Sequence, residues 1–230
     1  MTRISVGADI VPMRIRHHPT ARQITLRLSP DGSEARVSLP RWAALRDGEE
    51  FARSRVGWIA DQLRRLPKRE DLVDGSFIPY RGTLLQLCWD ERRDRRPVRN
   101  GQALECGGAE QSLGSRIRCW LRTEASMVMQ ADLVHFCKAV DRQATAIKLS
   151  EARSRWGSCA ADGTIRLNWR LIMAPDHVRR CVVAHEVAHL VHFNHSAAFH
   201  SLHGLILSDD PAAANLWLKK HGRTLHVPFG

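Results

Sequence analysis

The sequence predicts an α+β fold. Three observations point there. Short strand-like apolar segments separated by glycine- and proline-bearing turns recur through the first hundred residues; a run from Arg116 to Arg142 contains neither proline nor glycine; and a second apolar run, from about Pro175 to Phe193, carries the ionisable residues His185, Glu186 and His189 in its interior. Strands grouped ahead of helices give a mixed rather than a strictly alternating βα arrangement.

In chain order, Ile24–Leu28 and Ala35–Leu39 alternate apolar and polar residues around a linker that opens with Ser29-Pro30-Asp31-Gly32, a hairpin pattern. From Ala44 to about Leu66 the residues Phe51, Trp58, Ile59, Leu63 and Leu66 recur at helical spacing among charges, and Pro67 follows, so one amphipathic helix is expected. Strand-like pieces follow at Phe77–Gly82, Thr83–Trp89 and Ala103–Cys106. The polar stretch from Gly107-Gly108 to Gly114 marks the expected boundary between a β-rich module with one helix (1–110) and a second domain (111–230). Arg116–Arg142 predicts one or two helices whose stripe of Ile117, Trp120, Leu121, Val128, Leu133, Phe136, Cys137 and Val140 is core packing. Ala146–Ser150 and Thr164–Trp169 predict strands flanking the glycine-bearing turn Ser154–Gly163. Pro175 and Asp176 suit a helix start, where a missing amide is harmless and an acid meets the positive end of the dipole.

At 230 residues the chain has ample material for a core, and no apolar stretch approaches a membrane span; the first ten residues lack a secretory h-region. The six cysteines are scattered singly, without a CxxC pair, and read as reduced thiols. These features predict a cytoplasmic protein that does not enter a membrane. A net charge of +11, carried mostly by arginine, makes an acidic or nucleic-acid partner for a basic surface an expectation, although the densest stretch, Glu91–Asn100, reads as a solvated turn without the interleaved aromatics that base stacking requires.

The chemistry concentrates in His185-Glu186-Val187-Ala188-His189. Residues four apart share a helical face, so His185 and His189 can hold one metal through neutral ring nitrogens, with Glu186 placed to take a proton from water that the metal activates. This is the HExxH arrangement of zinc hydrolases. His192, His195, His200, His203, His221 and His226 are the candidates for a third ligand. His192 shares the face but lies about 10 Å along the axis from His185, too far to join it. His195 can, if the helix ends near Phe193 and Asn194, a residue that enters the left-handed conformation readily, turns the chain back. Three ionisable groups in an otherwise apolar helix (Val178, Val182, Val183, Val187, Leu190, Val191) need such a partner.

The segments SRWGSC, IRLNWRLIMAP and VVAHEVAHLVHFNHSAAF resemble the YgjP-like zinc metallopeptidases, a zincin-like family, and the likeness extends over nearly the whole chain. The resemblance implies a zincin-like minimal metallopeptidase domain, a small mixed sheet on an active-site helix; zinc (Zn2+) held by His185, His189 and His195; Glu186 as general base; and Trp156, Gly157, Ser158 and Asn168 beside the metal, where an edge strand binds an extended polypeptide. For Trp156 and Asn168 the other reading is a core aromatic and a turn-fixing amide. At His200 the chain departs from the family, which usually has tryptophan there; the ring is then either a donor behind a ligand or simply exposed. The motif alone supplies hydrolysis, and the word peptidase comes from the resemblance. The competing expectations are a zinc-dependent phosphoanhydride (nucleotide) hydrolase, against which no GxxxxGK cradle stands in the chain, and a nucleic-acid-associated protein using its basic surface.

Overall fold

A computed structural model describes residues 2–7, 9–29, 32–65 and 71–227. The chain divides into two compact units, one ending at Arg69 and the other beginning at Glu70.

In the first unit β1 (Thr2–Val6), β2 (Asp9–His17), β3 (Thr25–Leu28) and β4 (Ala35–Leu39) form a sheet in the order β1-β2-β4-β3, with β2 and β4 parallel and the other pairs antiparallel. Alternation decides its faces: Ile4, Val6, Val11, Met13, Ala35, Val37 and Leu39 point into a core closed by Ala52 of α1 (Leu45–Ser54) and Ile59 of α2 (Val56–Arg64). The expected β3–β4 hairpin is present, while Pro30 and Asp31 of its linker lie outside the described residues. β1 and β2 were not among the expected elements, although Ile4/Val6 and Val11/Met13/Ile15 carry the period of two. The single helix expected over 44–66 is two, interrupted at Arg55, whose φ of −109° and ψ of 16° leave helical geometry; its expected end at Leu66-Pro67 falls outside the described residues.

The second unit opens with β5 (Phe77–Tyr80) and β6 (Thr83–Trp89), joined by Arg81-Gly82. Both turn residues have positive φ (50° and 81°), the two-residue geometry whose twist matches that of paired strands. With β7 (Val98–Asn100) and β8 (Ala103–Cys106) they make a sheet in the order β5-β6-β8-β7. The long run is one helix, α3 (Leu113–Ala139). β9 (Ala146–Ser150), β10 (Gly157–Cys159) and β11 (Thr164–Asn168) form a small mixed sheet in the order β10-β11-β9, leaving β10 at an edge. A 3-10 turn (Trp169–Met173), α4 (Asp176–Ala188), α5 (Ala197–Ile206) and α6 (Pro211–His221) complete the unit.

The boundary therefore falls near residue 70 and not at 110, and the reason is burial. Ile78, Leu85, Leu87 and Leu104 of the β5–β8 sheet share one core with Ile117, Leu121 and Phe136 of α3 and Val183 and Val187 of α4. The glycines taken for a linker mark a close approach instead. A side chain at Gly107 would overlap the Arg93 carbonyl, and the Gly108 carbonyl accepts from Trp89 Nε1 at 2.9 Å. The architecture is α+β with small mixed sheets, as expected.

Candidate metal centre

α4 is buried along most of its length, with Val178, Val183, Ala184, Val187 and Ala188 in the core. Its N-terminal end is tied down electrostatically. Asp176 accepts from Arg81 Nη2 at 2.6 Å and from Arg179; buried Arg179 donates through Nε to buried Asp132 at 2.7 Å, and Arg180 reaches the same carboxylate at 3.1 Å. The β5–β6 hairpin is thereby clamped to the helix start, where Arg81 N also donates to Ile172 O at 2.7 Å.

The other end carries the chemistry. α4 stops at Ala188, five residues before the expected Phe193, with His189 as its cap residue. Leu190 N and Val191 N bond three residues back, to Val187 O (2.9 Å) and Ala188 O (3.1 Å), which tightens the last turn. The expectation that Asn194 reverses the chain in a left-handed conformation is corrected: Arg81 and Asp141 are the described non-glycine residues with positive φ, and a helix that ends this early needs no such stop. The turn brings His195 back over the helix. One ring nitrogen from each of His185, His189 and His195 lies within 4.8 Å of the others, and these three are the group of candidate metal-ligating side chains among the described residues. His185 Nε2 and His195 Nε2 stand 3.2 Å apart.

The donor set fits a metal ion. His189 Nδ1 lies 3.0 Å from the His192 carbonyl, which can only accept, so Nδ1 holds the proton and Nε2 keeps its lone pair. Burial, then the neighbouring imidazoles of His189, His203 and His195, pushes His185 down to about 4, so this ring stays neutral at ordinary pH and available as a ligand. Beneath the three rings lies Phe199, fully buried, its ring centroid 4.5 to 4.9 Å from each. The sequence reading missed this residue and treated His203 only as a ligand candidate; His203 is buried behind His185 and its Nε2 donates to Cys181 O at 3.3 Å. The spacing of Phe199 and His203, four apart and on one helical face, was the signal available. His200 is exposed, its ring 6.3 Å from that of His195. His221 rests on Trp217 and His226 on Trp156.

Glu186 is 6% exposed and faces β10. Burial pushes its carboxyl up to about 7, more strongly than the Cys159 backbone amide and the Arg155 charge pull it down. Gly157 makes this position possible, since a Cβ there would overlap the carboxylate, with Glu186 Cγ at 2.7 Å. Ser158 follows on the same edge strand, opposite Arg166. Trp156 is half-buried, its ring 5.3 Å from that of His226, and closes one wall of a cavity of about 200 Å3 that Gly157, Cys181, Val182, His185, Glu186, His203, Asn215 and Leu218 also line.

Asn168 is fully buried and does not reach this cavity. It caps the 3-10 turn through Arg170 N (3.1 Å), donates to Ala152 O (2.7 Å), and its own amide bonds Trp156 O (2.8 Å). Its place is that of the turn-fixing amide: it holds the 152–156 loop that delivers Gly157 to Glu186. Glu151, at the root of that loop, gathers Arg118 and Arg170 (each 2.9 Å) and Arg122.

A helix presenting two imidazoles and a carboxylate, a third imidazole returned to it by a turn, and an edge strand alongside define the class of metal-dependent hydrolases. Residues 22–221 match the family model described as YgjP-like, metallopeptidase domain, and the chain belongs to that family. A metallopeptidase requires a metal ion and acts on polypeptide, and the α+β architecture with small mixed sheets is consistent with a zincin-like domain. No curated protein matches the chain. Among solved structures, the crystal structure of the metallopeptidase zymogen of Pyrococcus abyssi abylysin is similar over 44% of this chain and 99% of its own, at 16% identity and a TM-score of 0.36. No helix among the described residues is long and apolar enough to cross a membrane.

Proposed function

We propose that this protein is a zinc-dependent peptidase in which His185, His189 and His195 hold the ion and Glu186 is the general base. The observation that carries the reading is the convergence of three imidazole nitrogens within 4.8 Å, beside the buried Glu186 carboxyl. Three neutral imidazoles and an open position suit zinc. The metal, when bound, supplies a Lewis acid for the scissile carbonyl and lowers the pKa of water.

The chain's own groups do the rest. Glu186, buried beside the three imidazoles and facing β10, is placed to take a proton from the attacking water and return it to the leaving amine, and such positioned transfer contributes typically about 10²–10⁴-fold. The β10 edge offers main-chain groups to an extended substrate, with Trp156, Gly157 and Ser158 on the substrate side; Asn168 positions that strand from beneath. Six free cysteines favour a reducing, cytoplasmic setting. Against the phosphoanhydride alternative, no arginine or lysine is among the described lining residues of the cavity beside Glu186, and at about 200 Å3 the cavity is smaller than the roughly 300–1,000 Å3 of a small-ligand site.

The test is metal analysis and cleavage of an unstructured casein-like protein by wild type, Glu186→Gln and His195→Ala. Glu186→Gln should keep zinc and lose hydrolysis, and His195→Ala should lose both. Full activity in Glu186→Gln would sink the mechanism.

A further inference from the structure

The N-terminal sheet has two unlike faces. One is covered by α1 and α2. The other carries Arg3 on β1, Arg14 and Arg16 on β2, Arg27 on β3 and Arg36 on β4, set there by the period of two against the buried Ile4, Val11, Met13 and Val37 and the partly buried Leu26. The register makes this more than a count: Arg14 is the partner of Arg36 across the parallel pair, and Arg36 is the partner of Arg27 across the antiparallel pair. Three guanidinium side chains thus stand in one row across three adjacent strands, spanning about 10 Å at the usual strand spacing, with Arg16 about 7 Å further along β2. Like charges directly opposite one another destabilise a sheet. No strand position on this face holds an acid. Glu34, just before β4, is the one carboxylate among the described residues bonded to the row, accepting from Arg14 Nε at 2.8 Å and Arg36 Nε at 2.7 Å. Among the described residues Arg3, Arg16 and Arg27 have no ion-pair partner.

Two further observations give the charge a direction. Residues 1–69 hold 14 of the 35 basic residues and only 7 of the 24 acidic ones, so less than a third of the chain carries most of the net charge. At the end of the sheet where β2 and β4 finish, Trp42 is 76% exposed, and the residue after it is pinned to β2 by His17 Nε2, 2.8 Å from Ala43 O. A row of guanidinium groups suits phosphates, and an exposed indole at the end of the same sheet offers an aromatic face to a base.

We propose that the outer face of the β1–β4 sheet binds the phosphodiester backbone of single-stranded nucleic acid through Arg14, Arg16, Arg27 and Arg36, with Trp42 stacking on a base. Arg14 and Arg36 are held in place by Glu34, and Arg16 and Arg27 extend the track on either side. Recognition is of the backbone, so DNA and RNA serve alike. The proposal does not depend on the metal centre.

The test uses the full-length protein and fluorescein-labelled oligodeoxythymidine and oligouridine of about 20 nucleotides, titrated from about 50 mM to about 200 mM salt. With four phosphate contacts the logarithm of the affinity should fall against the logarithm of salt with a slope of about −3 on single strands, for both oligonucleotides. Arg16→Ser/Arg27→Ser should weaken binding about tenfold or more at low salt and make the slope shallower by about 1.4; Arg27→Lys should keep the slope; and Arg92→Ser/Arg96→Ser, which removes the same charge from the other unit, should change affinity less than about twofold. Trp42→Ala should weaken binding without altering the slope. Equal unfolding midpoints for these surface variants separate binding loss from misfolding. Absence of binding at low salt, equal losses from the two double variants, or binding only to phosphatidylserine vesicles would overturn the proposal.

Discussion

The two ends of α4 are built on opposite electrostatic plans. At its start Asp176, Arg179, Arg180, Arg81 and Asp132 meet in pairs, every carboxylate facing a guanidinium. At its finish, three turns on, Glu186 is buried with no salt bridge among the described residues, beside three imidazoles. Burial raises both carboxyls, but at Asp176 the hydrogen bonds and charges of Arg81 and Arg179 outweigh it and hold the group at about 2, whereas Glu186 rises to about 7. One helix thus shows what charge does when it is saturated and when it is withheld: the saturated end holds hairpin, long helix and α4 together, and the withheld end is left reactive.

The widest test of that contrast is Glu186→Gln, which removes the proton acceptor while preserving shape; turnover should fall about a thousandfold with the unfolding midpoint little changed. At the opposite end Asp132→Ala strands the buried Arg179 guanidinium, which keeps only Asp176, and denaturant unfolding should show a loss of about 3 kcal/mol. A loss below about 0.5 kcal/mol would mean that this network does not hold the helix. Zinc at a hundred times its Kd should stabilise the wild type by about 2.7 kcal/mol and His195→Ala far less, read as the shift in thermal midpoint on chelation. Gly157→Ala, whose new methyl displaces the Glu186 carboxylate, should lower kcat about tenfold at nearly constant KM; unchanged kcat would detach Gly157 from the base.

Stability also depends on pH, and the sign of that dependence differs at the two ends. Asp176 and Glu151, both held at about 2 against ordinary values of 3.8 and 4.5, contribute stability that is present above those ordinary values and lost as pH falls through about 2. Both are about two-fifths exposed, so solvent screening keeps the contribution under about 1 kcal/mol. Glu186, raised in the fold, acts the other way: the metal-free protein should be most stable below about 4.5 with respect to this group and lose that contribution as pH rises through about 7. Glu186→Gln should abolish only the second dependence.

Much of this molecule was legible in local pattern. Period-two alternation found β3 and β4, a strand-like apolar run found β6, and the absence of glycine and proline found α3. Motif spacing picked out His185, Glu186 and His189, because four residues on a helix is a distance that sequence encodes directly. Legibility failed where a residue's meaning depends on something distant. Gly107 was taken for a linker because nothing local reveals that Arg93 lies against it, and the end of α4 was set too late because three-residue backbone bonds leave no side-chain signature. Asn168 was expected at the substrate, but Ala152 and Arg170, near in sequence to opposite sides of the β10 turn, take its amide.

What the sequence by itself determined is chemistry and period: which side chains can bind a metal or move a proton, which faces are apolar, and that the molecule is α+β. Only the tertiary structure decided the environment of those groups. Whether a carboxyl titrates near 2 or near 7, whether the ring of Phe199 lies under three imidazoles, and whether three arginines stand in one row across adjacent strands are set by burial and by strand pairing. Desolvation and Coulomb interactions act through space, and a linear sequence carries distances only within one helix or one strand.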